Sequence, residues 1–182
     1  MRIVAGNYRG KKLYSPAGED VRPTSDMARE SVFNILRSKL DDFSEVSLLD
    51  VFAGTGAFGF EAISRGVKEV CFIDKDISTI KKNAALFEKE KGKINVLKAD
   101  ALKLPRASAR YSLVFMDAPY NKGLNEKALV QLALNGWLSD NALVIVETAR
   151  DEALSFGNGF EAIDERTYGA AKFTFLKLRL NK

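Results

Sequence analysis

The stretch Ser47-Leu48-Leu49-Asp50-Val51-Phe52-Ala53-Gly54-Thr55-Gly56 limits the fold more than any other part of the chain. Its first half, Ser47–Phe52, reads as a buried strand. It runs straight into glycines and then into a helical pattern from about Ala57 to Ser64, which Gly66 ends. Gly54, Gly56 and Gly59 form a G-x-G-x-x-G pattern. Asp74 lies 20 residues past Gly54, at the end of the next strand-like run, Glu69–Ile73. Glycines here permit a tight turn and close approach of a ligand, and the following carboxylate can grip ribose hydroxyls. The bland alternative is a plain tight turn between strand and helix.

The βα rhythm continues. A helix carries Ile77, Ile80, Ala84 and Phe87 on one face and closes at Lys91-Gly92-Lys93. Ile94–Lys98 is a third strand, followed by a loop from Asp100 to Arg110, and Tyr111–Met116 is a fourth strand. Leu124–Leu134 is helical and stops at Asn135-Gly136-Trp137; Ala142–Glu147 is a fifth strand. Phe160–Arg166 and Lys172–Arg179 form a terminal antiparallel pair. Ahead of this series, Arg2–Ala5 and Lys11–Tyr14 suggest a small hairpin or flap. Ser15–Arg22 reads as loop. Thr24 or Ser25 can cap a helix with Ala28, Val32, Ile35, Leu36 and Leu40 on its apolar face. Alternating strands and helices predict one α/β domain over residues 1–182: a mostly parallel sheet with helices on both faces. Ligands of such folds bind beyond the carboxyl ends of the strands. Four polar signals fall at those ends: the loop Asp50–Gly56, Asp74, Asp100 and Asp117.

Composition narrows the chemistry. With 182 residues, 46% apolar and 29% charged, the chain can bury a full core. There is no histidine, and the only cysteine, Cys71, lies in an apolar run. Imidazole acid–base chemistry, a zinc site and a disulfide framework are therefore excluded, and Cys71 is expected to be a buried thiol. No apolar run approaches membrane-spanning length, and Met1–Tyr8 turns polar too early for a signal peptide. The expected compartment is the cytoplasm.

Net charge is only +4, but its distribution is uneven. Arg2, Arg9, Lys11 and Lys12 stand without an acid among residues 1–12, and residues 75–110 hold ten basic against four acidic side chains. A solvated surface and a polyanion footprint fit this equally well.

Two nucleotide cofactors fit the glycine loop. Asp50, four residues before Gly54, is awkward beside a pyrophosphate but suits a cationic ligand. The sulfonium and ammonium of S-adenosylmethionine supply such charge. Asp100-Ala101 follows the third strand and can accept from an adenine amino group, which both cofactors carry; a turn cap is the alternative role for Asp100.

The tetrad Asp117-Ala118-Pro119-Tyr120 follows the fourth strand. A base amine is planar and weakly nucleophilic, because its lone pair is delocalised into the ring. Asp117 can take one of its hydrogens and the Ala118 or Pro119 carbonyl the other. Proline stiffens the turn, and Tyr120 can stack on the base. Orientation and charge complementarity suffice for methyl transfer, with no metal. Asn121, Lys122 and Gly123 continue the loop, with Lys122 either a phosphate contact or a solvated lysine. Arg2, Arg9, Lys11 and Lys12 of the flap can hold RNA backbone.

At this point the chain closely resembles the bacterial 16S ribosomal RNA guanine-N2 methyltransferases, which use S-adenosylmethionine. The likeness runs from Met1-Arg2-Ile3-Val4-Ala5-Gly6-Asn7-Tyr8-Arg9-Gly10 through Arg22-Pro23-Thr24-Ser25-Asp26 and Arg29-Glu30-Ser31-Val32-Phe33-Asn34. It continues through the glycine loop and Asp74 to the tetrad. The resemblance implies a Rossmann-like class I methyltransferase with a seven-stranded sheet, an antiparallel C-terminal strand and an N-terminal extension, residues 1–22, that touches RNA. It implies that Asp117, Ala118, Pro119 and Tyr120 are the catalytic motif. It implies a cofactor site of Asp50, Phe52, Ala53, Gly54, Thr55, Gly56, Asp74, Lys75, Asp100 and Ala101, closed by Arg22, Pro23 and Thr24. The substrate it implies is one guanine of 16S ribosomal RNA in an assembled or assembling 30S subunit, met by a monomer. The family tetrad is usually Asp-Pro-Pro-Phe/Tyr; Ala118 here relaxes φ and restores an N–H.

Four other functions fit parts of the pattern. Related tetrads serve adenine N6 and protein glutamine N5 methylation, although the Arg-Pro-Thr segment and basic flap argue against both. The glycine loop also suits a nicotinamide-dependent oxidoreductase, and the basic surface suits a non-catalytic RNA-binding assembly factor.

Overall fold

A computed structural model of the chain describes residues 1–16, 26–40 and 42–179. The predicted βα series is present. α1 (Asp26–Lys39) precedes β1 (Ser47–Val51), α2 (Ala57–Ser64), β2 (Glu69–Asp74), α3 (Ser78–Ala84), β3 (Ile94–Lys98), β4 (Tyr111–Met116) and α4 (Leu124–Leu134). β5 (Leu138–Ala149), β6 (Phe160–Tyr168) and β7 (Ala171–Leu178) complete the chain. The sheet has seven strands in the order β3-β2-β1-β4-β5-β7-β6. β1 to β5 pair in parallel, and β7 enters antiparallel between β5 and β6.

The central strands read as continuous apolar runs because both their faces are covered. On one face Leu48, Phe72, Phe115 and Ile145 pack under α1, α2 and α3. On the other, Leu49, Val114 and Val144 pack under Ala128, Leu129 and Leu132 of α4. Cys71 is buried and free, as expected. An aromatic column crosses the first face. Phe33 of α1 stacks on Phe58 of α2 at 4.7 Å between centroids, and Phe58 stacks on Phe115 at 3.7 Å and 2°. Such contacts add about 1 kcal/mol each beyond area burial, and they fix α1 and α2 over β4.

Three local expectations change. The N-terminal hairpin is short: one bridge, Arg2 with Lys12, flanked by backbone bonds from the Ile3 N–H to Lys11, the Gly10 N–H to Ile3 and the Leu13 N–H to Met1. Residues 1–16 are a docked strap, because Ile3 and Leu13 are buried and the backbone of Val4 and Ala5 donates to the carboxylate of Glu61 on α2. The helix after β2 keeps α geometry only to Ala84. A 3-10 segment, Ala85–Lys93, follows, with Phe87 at φ −116° and ψ 40°. Turning Phe87 this way buries it against Phe60, 4.8 Å between centroids. β5 starts at Leu138, ahead of the predicted Ala142, because Leu138 pairs with Tyr111 beyond an irregularity in the ladder.

Candidate active site

The strand order reverses between β1 and β4, and that crevice is where open α/β sheets hold ligands. The loop leaving β1 lines one side. Phe52 takes a left-handed φ of 58°, uncommon for an aromatic residue and worth about 1–2 kcal/mol of strain. It turns the chain sharply off the strand. The Ala53 N–H then donates to the Ile73 carbonyl at 3.1 Å, and the Gly54 N–H donates to Asp74 Oδ2 at 2.8 Å. The second oxygen of Asp74 accepts from the Asp76 N–H at 3.0 Å.

The glycines of the loop do different things. Gly54 is exposed at φ 56°, and a Cβ there would meet only the Phe52 carbonyl, 4.0 Å away. Its open face lies beside Asp74, a cradle that suits a ribose-bearing ligand. Gly56 and Gly59 serve packing: a Cβ on Gly56 would run into the Phe60 ring, and one on Gly59 into the Phe72 ring. Thr55 is buried; its carbonyl accepts from Asn83 Nδ2 at 2.9 Å. The next strand end adds Asp100, whose Oδ1 accepts from the Leu102 N–H at 2.9 Å and whose Oδ2 pairs with exposed Lys75 at 3.1 Å. Those two contacts, the N–H first, hold the Asp100 carboxyl below the usual range, so it is an ionised acceptor at neutral pH. Ala101 beside it is buried.

Asp50 sits differently from the counter-charge expected of it. It is 2% exposed, and its Oδ2 accepts from the Gly59 N–H at 3.0 Å. Burial pushes its carboxyl up to about 8, against the pull of that N–H, with Asp74 adding repulsion. Asp50 thus fastens α2 to β1 from beneath the loop.

The tetrad lines the other side of the crevice. The Asp117 N–H donates to the Val51 carbonyl at 3.4 Å, which ties the end of β4 to the base of the glycine loop. Asp117 is half-buried, Ala118 is buried and Pro119 is exposed. Burial, then Glu147, then Asp50 hold the Asp117 carboxyl well above the usual carboxylate range. The Tyr120 hydroxyl donates to Glu147 Oε1 at 2.7 Å. Asn121 follows at a left-handed φ of 58°, and its N–H donates to Glu152 Oε1 at 2.8 Å. It borders an open surface cavity of about 560 Å³ between the end of β5 and the β6–β7 turn.

The five cations expected to meet RNA separate. Arg9, Lys12 and Lys122 are exposed. Arg2 is exposed but pairs with Asp26 at 3.2 Å. Lys11 donates to the Leu86 carbonyl at 3.0 Å and lies over the Tyr8 ring at 5.4 Å. Met1 reaches Thr55, and the Gly6–Gly10 turn carrying Arg9 docks at Ser64, at the other end of α2. Eight helical residues rise about 12 Å, so Arg9 lies that far down the molecule from the glycine loop. Arg22, Pro23 and Thr24 lie outside the described residues.

Three side chains escaped the sequence reading. Glu147 carries the one legible signal, an acid closing the apolar run of β5 beside the strand that ends in Asp117. Glu61 and Asn83 sit on helices with nothing local to mark them. Among the described residues no group of three or more potential ligands is placed to hold a metal ion, and no helix is long and apolar enough to cross a membrane.

The sheet order, the glycine loop with Asp74 and the tetrad define a Rossmann-like class I S-adenosylmethionine-dependent methyltransferase. A family model described as Conserved hypothetical protein 95 matches residues 1–177. Ribosomal RNA small subunit methyltransferase D of Haemophilus influenzae is 36% identical over 179 residues, covering 95% of this chain and 91% of the relative. The protein of that name in Escherichia coli K12 is 36% identical over 158 residues, 85% and 77% of the two chains. The solved structure of Escherichia coli yhhF superposes with a TM-score of 0.83 at 30% identity, over 100% of this chain and 99% of that one. The chain belongs to this family of bacterial small-subunit ribosomal RNA methyltransferases.

Proposed function

We propose that the protein methylates the exocyclic N2 of one guanine in 16S ribosomal RNA, acting as a monomer on the assembled or assembling 30S subunit. The observation that carries this reading is the bond from the Asp117 N–H to the Val51 carbonyl. It sets a carboxylate acceptor for an amine directly beside the loop that would hold the methyl donor.

When bound, S-adenosylmethionine supplies an electrophilic methyl group on a positively charged sulfur. Gly54 would give it room, Asp74 would take the ribose hydroxyls, and Asp100 with Ala101 and Lys75 would border the adenine. Phe52, Ala53, Thr55 and Gly56 shape the loop, and Asp50 fixes it to α2. On the substrate side, the guanine leaves its stack to enter the crevice, at a cost of a few kcal/mol. Asp117 accepts one N2 hydrogen, and the carbonyl of Ala118 or Pro119 accepts the other. Tyr120 stacks on the ring. Both acceptors draw the nitrogen lone pair out of conjugation and aim it at the methyl group, so the barrier falls by orientation and electrostatics. Arg9, Lys12 and Lys122 are the exposed cations for the RNA backbone, with Arg2 and Lys11 in support.

The test is methylation of undermodified small subunits with labelled S-adenosylmethionine, followed by mass mapping of the RNA. A single N2-methylguanine is expected. Methyl on adenine N6 or on protein would replace this reading with one of its alternatives. Asp117→Ala is expected to lower transfer about 100-fold or more while cofactor binding stays; a variant that keeps its rate overturns the role given to Asp117.

A further inference from the structure

Met116 pairs with Val146 in the parallel ladder of β4 and β5, so the next residues, Asp117 just past β4 and Glu147 within β5, stand at one height. In-register residues of parallel strands point to the same face, with backbones about 4.8 Å apart. Glu147 is 2% exposed, unusual for a glutamate. It is held on three sides. The Tyr120 hydroxyl donates to its Oε1 at 2.7 Å, Asn125 of α4 donates through Nδ2 to its carbonyl at 3.1 Å, and Phe173 of β7 lies opposite it in the antiparallel ladder.

We propose that Glu147 is a positioning residue of the methyl-transfer site, which seats the Tyr120 ring through its hydroxyl and holds a second negative charge against Asp117. The proposal rests on Asp117 being the acceptor of the base amine. A ring fixed at its hydroxyl end cannot swing, so the stacking height of the base is set from β5. The second charge makes Asp117 more basic. A more basic carboxylate is a stronger acceptor for the amine hydrogen. It is also better suited to take the proton the nitrogen must shed: as the nitrogen bonds to the methyl carbon, the carbon–sulfur bond breaks with its electron pair on sulfur, and one N–H proton passes to Asp117.

Among the described residues, these groups border the pair. β1 contributes Asp50, engaged with the Gly59 N–H; β4 contributes Asp117 itself and, past its end, Tyr120. From α4 the uncharged Asn125 donates to the Glu147 carbonyl, and from β7 the uncharged Phe173 pairs with Glu147 in the ladder. After burial, Glu147 is the largest influence raising Asp117, ahead of Asp50.

Asp117 must be ionised to accept, so activity rises with pH through its titration. Glu147→Gln keeps an acceptor for the Tyr120 hydroxyl but removes the charge. The acid limb of kcat/KM is expected to move down by about one pH unit. The carboxyl titration of Asp117, followed by carbon-13 NMR in the cofactor-bound protein without RNA, is expected to move by the same amount. Tyr120→Phe leaves the charge in place, so the limb stays while KM for the small subunit rises about 10-fold. An unshifted carboxyl titration in Glu147→Gln overturns the electrostatic role, and an unchanged KM in Tyr120→Phe overturns the seating role. Product mapping with the wild type fails separately if guanine N2 is not the target, and the NMR titration still decides the inference.

Discussion

Tyr14 and Asn83 are locked by a reciprocal pair of hydrogen bonds: the Tyr14 N–H donates to Asn83 Oδ1 at 2.7 Å, and Asn83 Nδ2 donates to the Tyr14 carbonyl at 3.1 Å. The same Nδ2 also reaches the Thr55 carbonyl at 2.9 Å. One fully buried amide on α3 therefore ties the end of the N-terminal strap to the cofactor loop. Asn83→Ala leaves those backbone groups unpaired at a cost of about 2–3 kcal/mol. Loosening of Thr55 and Gly56 is expected to weaken S-adenosylmethionine binding about 10-fold, measured by calorimetry. A variant of lower stability with unaltered affinity would show that the strap and loop are not coupled.

Glu61 is the anchor at the other end of the strap. Its buried carboxylate accepts from the N–H groups of Val4 and Ala5 at 2.7 and 3.0 Å and pairs with Arg65 at 2.8 Å and Arg29 at 3.5 Å. Glu61→Gln removes one of the two charges that compensate Arg29, which is 1% exposed and also pairs with Asp26 at 3.0 Å. Breaking a buried pair from one side costs about 3 kcal/mol, close to 10 °C in Tm for a chain of this size. Proteolysis is expected to open at residues 1–16 first, because their docking depends on this carboxylate.

Gly59 sets how closely α2 lies on β2. A Cβ there would run into the Phe72 ring. Gly59→Ala is expected to destabilise by about 1–3 kcal/mol, the usual cost of overpacking. Phe72→Leu in the same chain should return part of that loss, so a double-mutant cycle in urea gives a coupling of about 1 kcal/mol. Additive effects would mean that α2 shifts bodily and that the glycine is not required for packing.

These positions also show what could be read from residues alone. β1 to β4 and α4 were legible because doubly covered strands are unbroken apolar runs and because Gly66 and Gly136 mark helix ends. Gly54 and Asp74 were legible as a pair because their spacing reflects one βαβ unit. The break of the helix after Ala84 was not, since Ile77, Ile80, Ala84 and Phe87 keep an apolar stripe whether or not the backbone kinks. Nor was the early start of β5, because Ser139-Asp140-Asn141 reads as loop. Glu61, Asn83 and Glu147 depend on partners 27 to 69 residues away in sequence, and their meaning appears only when distant segments meet. The docking of the strap was hidden for the same reason: Ile3, Leu13 and the backbone groups met by Glu61 and Ser64 hold it to α2, while Arg9 and Lys12 stay exposed.

Asp50 makes the last prediction, a pH dependence of stability. Its carboxyl is ordinarily near 3.8 and stands at about 8 in the folded chain. Between those values the native state binds a proton that the unfolded chain does not. The stability this proton supplies is complete below 3.8 and is lost as pH rises through 8, at no more than about 1.4 kcal/mol per pH unit. Asp50→Asn keeps an oxygen to accept from the Gly59 N–H and does not titrate. Urea unfolding of the two proteins at pH 5, 6.5 and 8 isolates the contribution, because all other groups are shared. The wild type is expected to lose stability relative to Asp50→Asn as pH rises across the series, until the variant is at least as stable at pH 8. Parallel curves would mean that Asp50 is already ionised in the folded protein, which would restore it as the counter-charge for a cationic ligand.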